Sequence, residues 1–154
     1  MQPHAPSAVV TGASSGIGKA IATALARRGY STLLIARREP LLADLAAQLS
    51  AYAPSTPLPL DLNDTAAIAP ALRPVLERHG PFNVLVNNAG AGLYRPFAEQ
   101  SEADFAALMR VNFIAAVELT RLLLPGMLSL ARDAALVTTL ASVPAIGVIA
   151  ALLA

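Results

Sequence analysis

Residues 11–18 read TGASSGIG, and here residue type and spacing point most directly to chemistry. Gly12, Gly16 and Gly18 have no Cβ, so the backbone can take positive φ and let a ligand approach closely. Ser14 and Ser15 add hydroxyl donors, and Ile17 sits between the last two glycines. The stretch GIGKAIATALARRGY, residues 16–30, is rich in Ala and Leu, ends in basic residues and a glycine, and predicts a helix. A helix N-terminus offers unpaired N–H groups and the positive end of a dipole. Together these features suit the pyrophosphate of a dinucleotide. A tight strand-to-helix turn without a ligand would use the same glycines. The position of this one after a first strand favours the ligand. Its GxxxGxG spacing matches neither the GxxxxGK[ST] phosphate loop nor the usual GxGxxG.

A second candidate lies in LLIARR, residues 33–38. At the end of a second strand an acid binds the ribose 2′-OH of NAD, whereas a nearby Arg accommodates the 2′-phosphate of NADP. Ala36 stands where the acid would be, and Arg37 follows it. A guanidinium can grip a phosphate with two hydrogen bonds, so the pattern favours NADP(H) over NAD(H). Arg38 and Lys19 read as solvated charges.

The elements that must position these residues alternate along the chain. Apolar strand signals occur at 7–12, 31–37, 56–62, 82–90 and 133–142. Pro57 and Pro59 weaken the third. Helical spacing occurs at 16–30, 39–53, 63–80 and 101–128. Pro70 and Pro74 put the middle of the third helix in doubt, and Ser101 caps the fourth. Strands alternating with helices predict right-handed βαβ units. The expected fold class is α/β: a Rossmann-type doubly wound parallel sheet in a three-layer αβα arrangement. About five strands are present, and residues 1–154 form one domain.

The composition narrows the function classes. The chain is 55% hydrophobic and 14% charged, with a net charge of +1 and no cysteine. Thiolate catalysis, disulfides and Cys-ligated metals are excluded, and nothing favours nucleic acid. The apolar stretch 113–131 contains Glu118, Arg121 and Pro125, so it reads as a buried or interface helix rather than a membrane span. No signal peptide is read at the N-terminus, and the expected location is cytoplasmic. His4 reads as a tail residue and His79 as a helix-end residue, and neither makes a metal site.

Four motifs in order resemble the short-chain dehydrogenase/reductase family, from residue 7 to about residue 142. TGxxxGIG matches at 11–18, DL at 61–62, NNAG at 87–90, and an asparagine at Asn112 in RVNF. The resemblance implies that Asp61, with Leu62 beside it, contacts the adenine; the alternative for Asp61 is a turn or cap residue. It implies that Asn88, Ala89 and Gly90 border the cofactor's ribose, and that Asn87 is structural. Asn112 falls where the family anchors a relay water. The alternative for Asn112 is a helix-interior amide bonded to backbone. Ser142 matches the serine that orients the substrate carbonyl, although Ala141 and Ala145 depart from the usual pattern.

In the family a Tyr, with a Lys four residues on, follows that serine by about thirteen residues. Tyr30, Tyr52 and Tyr94 precede Ser142 and have no such Lys. Tyr94 suits either a substrate pocket or packing. The apolar ending GVIAALLA therefore reads as interior sequence cut short before YxxxK. The expected function is that of a fragment of an oxidoreductase. The intact protein would move a hydride between NADP(H) and a small alcohol or ketone, as a homodimer or homotetramer built on the long helix. The chain alone would lack normal turnover. The rival expectations are a module that only holds NADP(H) and an interaction protein on the same scaffold.

Overall fold

Each central strand is apolar on both faces because both faces are covered, as parallel sheets require. The computed structural model describes residues 6–94, 96–130, 134–138 and 149–152. In chain order the elements are β1 (Ser7–Thr11), α1 (Gly16–Arg27), β2 (Ser31–Ala36), α2 (Glu39–Leu49), β3 (Ser55–Pro59), α3 (Thr65–His79) and β4 (Val84–Asn87). A 3-10 turn (Phe97–Glu99), α4 (Glu102–Met109), a π turn (Arg110–Ile114), α5 (Ala115–Ser129), β5 (Ala135–Thr138) and β6 (Ile149–Leu152) follow.

The sheet order is β3-β2-β1-β4-β5-β6. The first five strands run parallel, and β6 runs antiparallel to β5. Side chains alternate between two cores, following the two-residue period of a strand. Val9, Leu33, Ile35 and Leu85 face one core with Ile68 and Leu72 of α3 and Leu119 and Leu123 of α5. Ala8, Val10, Leu34 and Val86 face the other with Ala22 and Ala26 of α1 and Leu42 and Leu45 of α2. The result is three layers, with the sheet in the middle.

The prolines are accommodated by their positions. β3 is an edge strand, and Leu60 N donates to Ala36 O. Alternation along β3 then turns positions 57 and 59, which lack an N–H, toward the open edge. α3 runs unbroken through Pro70 and Pro74. Both are exposed, as are Ala66 and Pro70, whose carbonyls lose their i+4 donors. Those carbonyls face water, while Ile68 and Leu72 bury the opposite side, so the helix survives.

Two features depart from expectation. The helix over 101–128 contains a π turn at its middle. By length and mean hydropathy the whole run Glu102–Ser129 passes as a membrane span, yet Ala115, Leu119, Leu123 and Met127 lie in the core. The second departure is β6. The five-strand reading left the β5 edge open, whereas Ile149–Leu152 pairs with it from Ala135↔Leu152 to Thr138↔Ile149. An uncovered strand presents unpaired N–H and C=O groups, and an apolar segment nearby satisfies them.

Candidate functional site

The parallel strands all end at one side of the sheet, and β1 and β4 are the neighbours at which the strand order reverses direction. In open α/β sheets that point opens a crevice. Here it is a cleft of about 490 Å³.

The glycine turn forms one wall. Gly12 has φ +65° and Gly16 φ +54°, a region that disfavours other residues. A Cβ on Gly12 would lie 2.8 Å from Asn88 Nδ2 and 3.0 Å from Ala89 Cα, so this position admits no side chain. A Cβ on Gly16 would meet nothing within 4 Å, which leaves space beside the backbone where α1 begins. Ser15, the N-cap of α1, makes no side-chain cap. By contrast Asp64 caps α3, and Ser101 and Asp104 form a full capping box on α4. The first-turn amides of α1 are therefore not capped by a side chain of the turn, and an anion would complete them. Ile17 also lines the cleft and is 58% exposed, apolar surface that a flat ligand would cover.

Of the cofactor residues expected from sequence, Gly12, Ser14, Ser15, Gly16, Ile17 and Arg37 line this cleft. Asp61, Leu62, Asn88, Ala89 and Gly90 line it as well, from the turns after β3 and β4. Gly18 does not. It is buried behind the turn, where a Cβ would collide with the Gly12 carbonyl and the Asn88 amide. Its missing Cβ lets α1 pack against the turn. Arg38 and Ala36 line the cleft too, as do Leu60, Ala91 and Val111, for which the sequence carried no expectation.

Arg38 is the main correction. Expected as a solvated charge, it donates from Nη2 to Ser14 Oγ at 3.0 Å and to Ser15 Oγ at 2.8 Å. Its guanidinium thus lies against the glycine turn. The signal in the sequence was the doubled arginine itself, since one of two successive strand-end residues must turn toward the loop.

Thr11 ties β1 to the facing wall. Its Oγ1 accepts from Asn88 N and Ala89 N, both at 2.9 Å, and donates to Val86 O at 3.2 Å. Asn88 Nδ2 returns a bond to Thr11 O at 3.0 Å. Asn87 is buried and donates to Thr120 Oγ1, which anchors β4 to α5.

Asn112 sits on the π turn. Its Oδ1 accepts from Ala91 N and its Nδ2 donates to Ala91 O, each at 2.8 Å. The geometry is that of an amide fastening the backbone of the loop after β4. Ser142 and His4 lie outside the described residues. His79 ends α3 in an exposed position, and Tyr94 stands fully exposed on the loop after β4. Among the described residues no group of three His, Asp or Glu side chains is placed to hold a metal.

This architecture recurs in known proteins. Residues 6–150 match the family model described as short chain dehydrogenase. The ketoacyl reductase HetN of Nostoc sp. is 36% identical over 121 residues, covering 78% of this chain and 42% of that protein. A very-long-chain 3-oxoacyl-CoA reductase of Phaeosphaeria nodorum is 34% identical over 154 residues, covering 91% of this chain and 42% of that protein. Among solved structures, a metagenomic short-chain oxidoreductase in complex with NADP superimposes with a TM-score of 0.80 at 36% identity, over 86% of this chain and 60% of that one. L-sorbose reductase from Gluconobacter frateurii, complexed with NADPH and L-sorbose, gives a TM-score of 0.76 at 31% identity, over 81% of this chain and 48% of that one. The chain thus spans about two fifths of the length of the curated relatives it matches. With its glycine turn, parallel sheet and motif order all in agreement with that model, the chain belongs to the short chain dehydrogenase family.

Proposed function

We propose that this chain is the nucleotide-holding part of an NADP(H)-dependent oxidoreductase that interconverts an alcohol and a carbonyl compound. The observation that carries the reading is the arginine pair that follows β2, with Ala36 in the position of an acid. Arg37 and Arg38 both line the cleft, and Arg38 lies across Ser14 and Ser15. A carboxylate at position 36 would repel a 2′-phosphate, whereas two guanidinium groups attract it.

The residues of this chain divide the work of holding the nucleotide. The first-turn amides of α1 and the hydroxyls of Ser14 and Ser15 suit the pyrophosphate. Asp61 and Leu62 suit the adenine, and the small Ala89 and Gly90 admit the ribose on the nicotinamide side. When bound, NADPH supplies the hydride. Asn112 fixes the wall beside the reacting end by its two bonds to Ala91. Relatives and neighbours named as ketoacyl, 3-oxoacyl-CoA and L-sorbose reductases support a carbonyl substrate. The exposed apolar side chains Phe105, Met109, Phe113 and Val117 recur along α4, the π turn and α5. They support a dimer or tetramer through that helix face.

The test is a fluorescence titration of the chain with NADPH and NADH. A charge-assisted hydrogen bond contributes about 1.5–3 kcal/mol, so NADPH is expected to bind at least about tenfold more tightly. Arg38→Ala should narrow that gap, weakening NADPH binding more than NADH binding. Equal affinity for the two nucleotides would overturn the assignment.

A further inference from the structure

The π turn Arg110–Ile114 interrupts a helical run that is otherwise regular from Glu102 to Ser129. Three consecutive residues on it reach the cleft or the turns that border it. Arg110 Nε donates to Asn63 Oδ1 at 3.1 Å. Val111 lines the cleft itself. Asn112 holds both backbone groups of Ala91 on the loop after β4. Successive residues on a helix project roughly 90–100° apart, so Arg110 and Asn112 extend to opposite sides with Val111 between them.

Asn63 belongs to the turn after β3, which carries Asp61 and Leu62 into the cleft. That turn closes on itself: Asn63 N donates to Asp61 Oδ1 at 3.0 Å, and Asp64 N donates to Asp61 O at 3.1 Å. Those bonds set its shape but do not set its distance from the facing wall. The bond from Arg110 ties it to the helix.

We propose that Arg110 is a positioning residue for the adenine half of the nucleotide. It fixes Asn63, and through the Asp61–Asp64 turn it fixes the wall against which the adenine packs. The same helical turn holds the loop after β4 through Asn112, so one piece braces both sides of the cleft. The inference rests on the reading of this cleft as an adenine-nucleotide site. π turns recur at functional sites because they redirect side chains that a regular helix would aim elsewhere.

The experiment has two arms. Amide hydrogen exchange of the nucleotide-free chain reads the turn directly. Arg110→Ala and Asn63→Ala should each speed exchange at residues 61–64 several-fold. NADPH titration reads the consequence. Each variant should weaken binding about tenfold, the scale of one charge-assisted hydrogen bond, and the double variant should be no weaker than either single. Asn63→Asp keeps an acceptor for the guanidinium and should retain wild-type affinity. Reduced nicotinamide mononucleotide lacks the adenosine and should bind the Arg110→Ala chain as it binds the wild type. Asn63 lies on a part-exposed loop, so Asn63→Ala carries the test if Arg110→Ala does not fold. Unchanged exchange at 61–64, additive losses in the double variant, or faster exchange with NADPH affinity intact would each overturn the proposal. Failure of the wild-type chain to bind NADPH would instead overturn the cofactor reading, and the adenine role with it.

Discussion

Thr11→Val separates the hydrogen-bonding role of this side chain from its packing. Valine has nearly the same shape and suits a strand at least as well, so β propensity and apolarity both rank it above serine here. The hydrogen bonds rank the two the other way. Thr11 is 1% exposed, and its Oγ1 serves Asn88 N, Ala89 N and Val86 O. Asn88 N keeps a second acceptor in Val86 O at 3.0 Å, so it is not orphaned by the change. Ala89 N loses its acceptor. A buried N–H left unsatisfied costs about 1–3 kcal/mol, and this part-buried one belongs in the lower half of that range. The two other bonds contribute about 1 kcal/mol each. Against them stands about 0.8 kcal/mol from the added methyl. The expected net loss is about 2–3 kcal/mol, a large share of the 5–15 kcal/mol typical of a domain.

Thr11→Ser keeps all three bonds and gives up one buried methyl, about 1 kcal/mol. Urea denaturation followed by far-UV circular dichroism checks the order. With an m-value of about 2 kcal/mol per molar, the valine variant should lose about 1–1.5 M of midpoint, and the serine variant about half a molar. The m-value itself should not change. A valine variant as stable as the serine variant would refute the reasoning, because it would mean that packing rather than the hydroxyl holds the β1–β4 corner.

Three further substitutions have defined outcomes. Gly18→Ala drives a Cβ into the Gly12 carbonyl and the Asn88 amide. Thermal unfolding should show an overpacking loss of about 1–3 kcal/mol. Gly16→Ala meets open space, so only about 1–2 kcal/mol for its positive φ is expected, together with weakened NADPH binding in titration. Ser101→Ala removes one half of the capping box on α4. It should cost about 1 kcal/mol, or roughly 2–4 °C of melting temperature, with nucleotide affinity unchanged.

Much of the site was legible because phosphate binding by a turn is a local device. Gly12, Ser14, Ser15, Gly16 and Ile17 are close in sequence, and one strand-to-helix bend assembles them. Asn88, Ala89 and Gly90 came from a motif at the end of β4. Arg38 could not be chosen over Arg37 as the residue on the turn, because the direction of a side chain past a strand end depends on where the facing loop lies. Gly18 followed the same logic. A missing Cβ signals close approach, but not whether a ligand or the next backbone is the neighbour. Asn112 was visible as a motif residue, whereas its partner Ala91 lies 21 positions away and was not.

The order of strands and helices and the glycine bend were decided by local chemistry: side chains repeat every two residues on a strand and about every 3.6 on a helix, and a residue without a Cβ declares itself wherever it stands. Tertiary structure alone decided what depends on neighbours distant in the chain. It put β3 at an edge, where Pro57 and Pro59 have no ladder bond to break. It turned Pro70 and Pro74 of α3 toward water. It laid β6 along β5, and it set a π turn between the two walls of the cleft. Each of those outcomes depends on which segments pack together and which faces they leave to water, and that free energy exists only once the fold has brought the segments together.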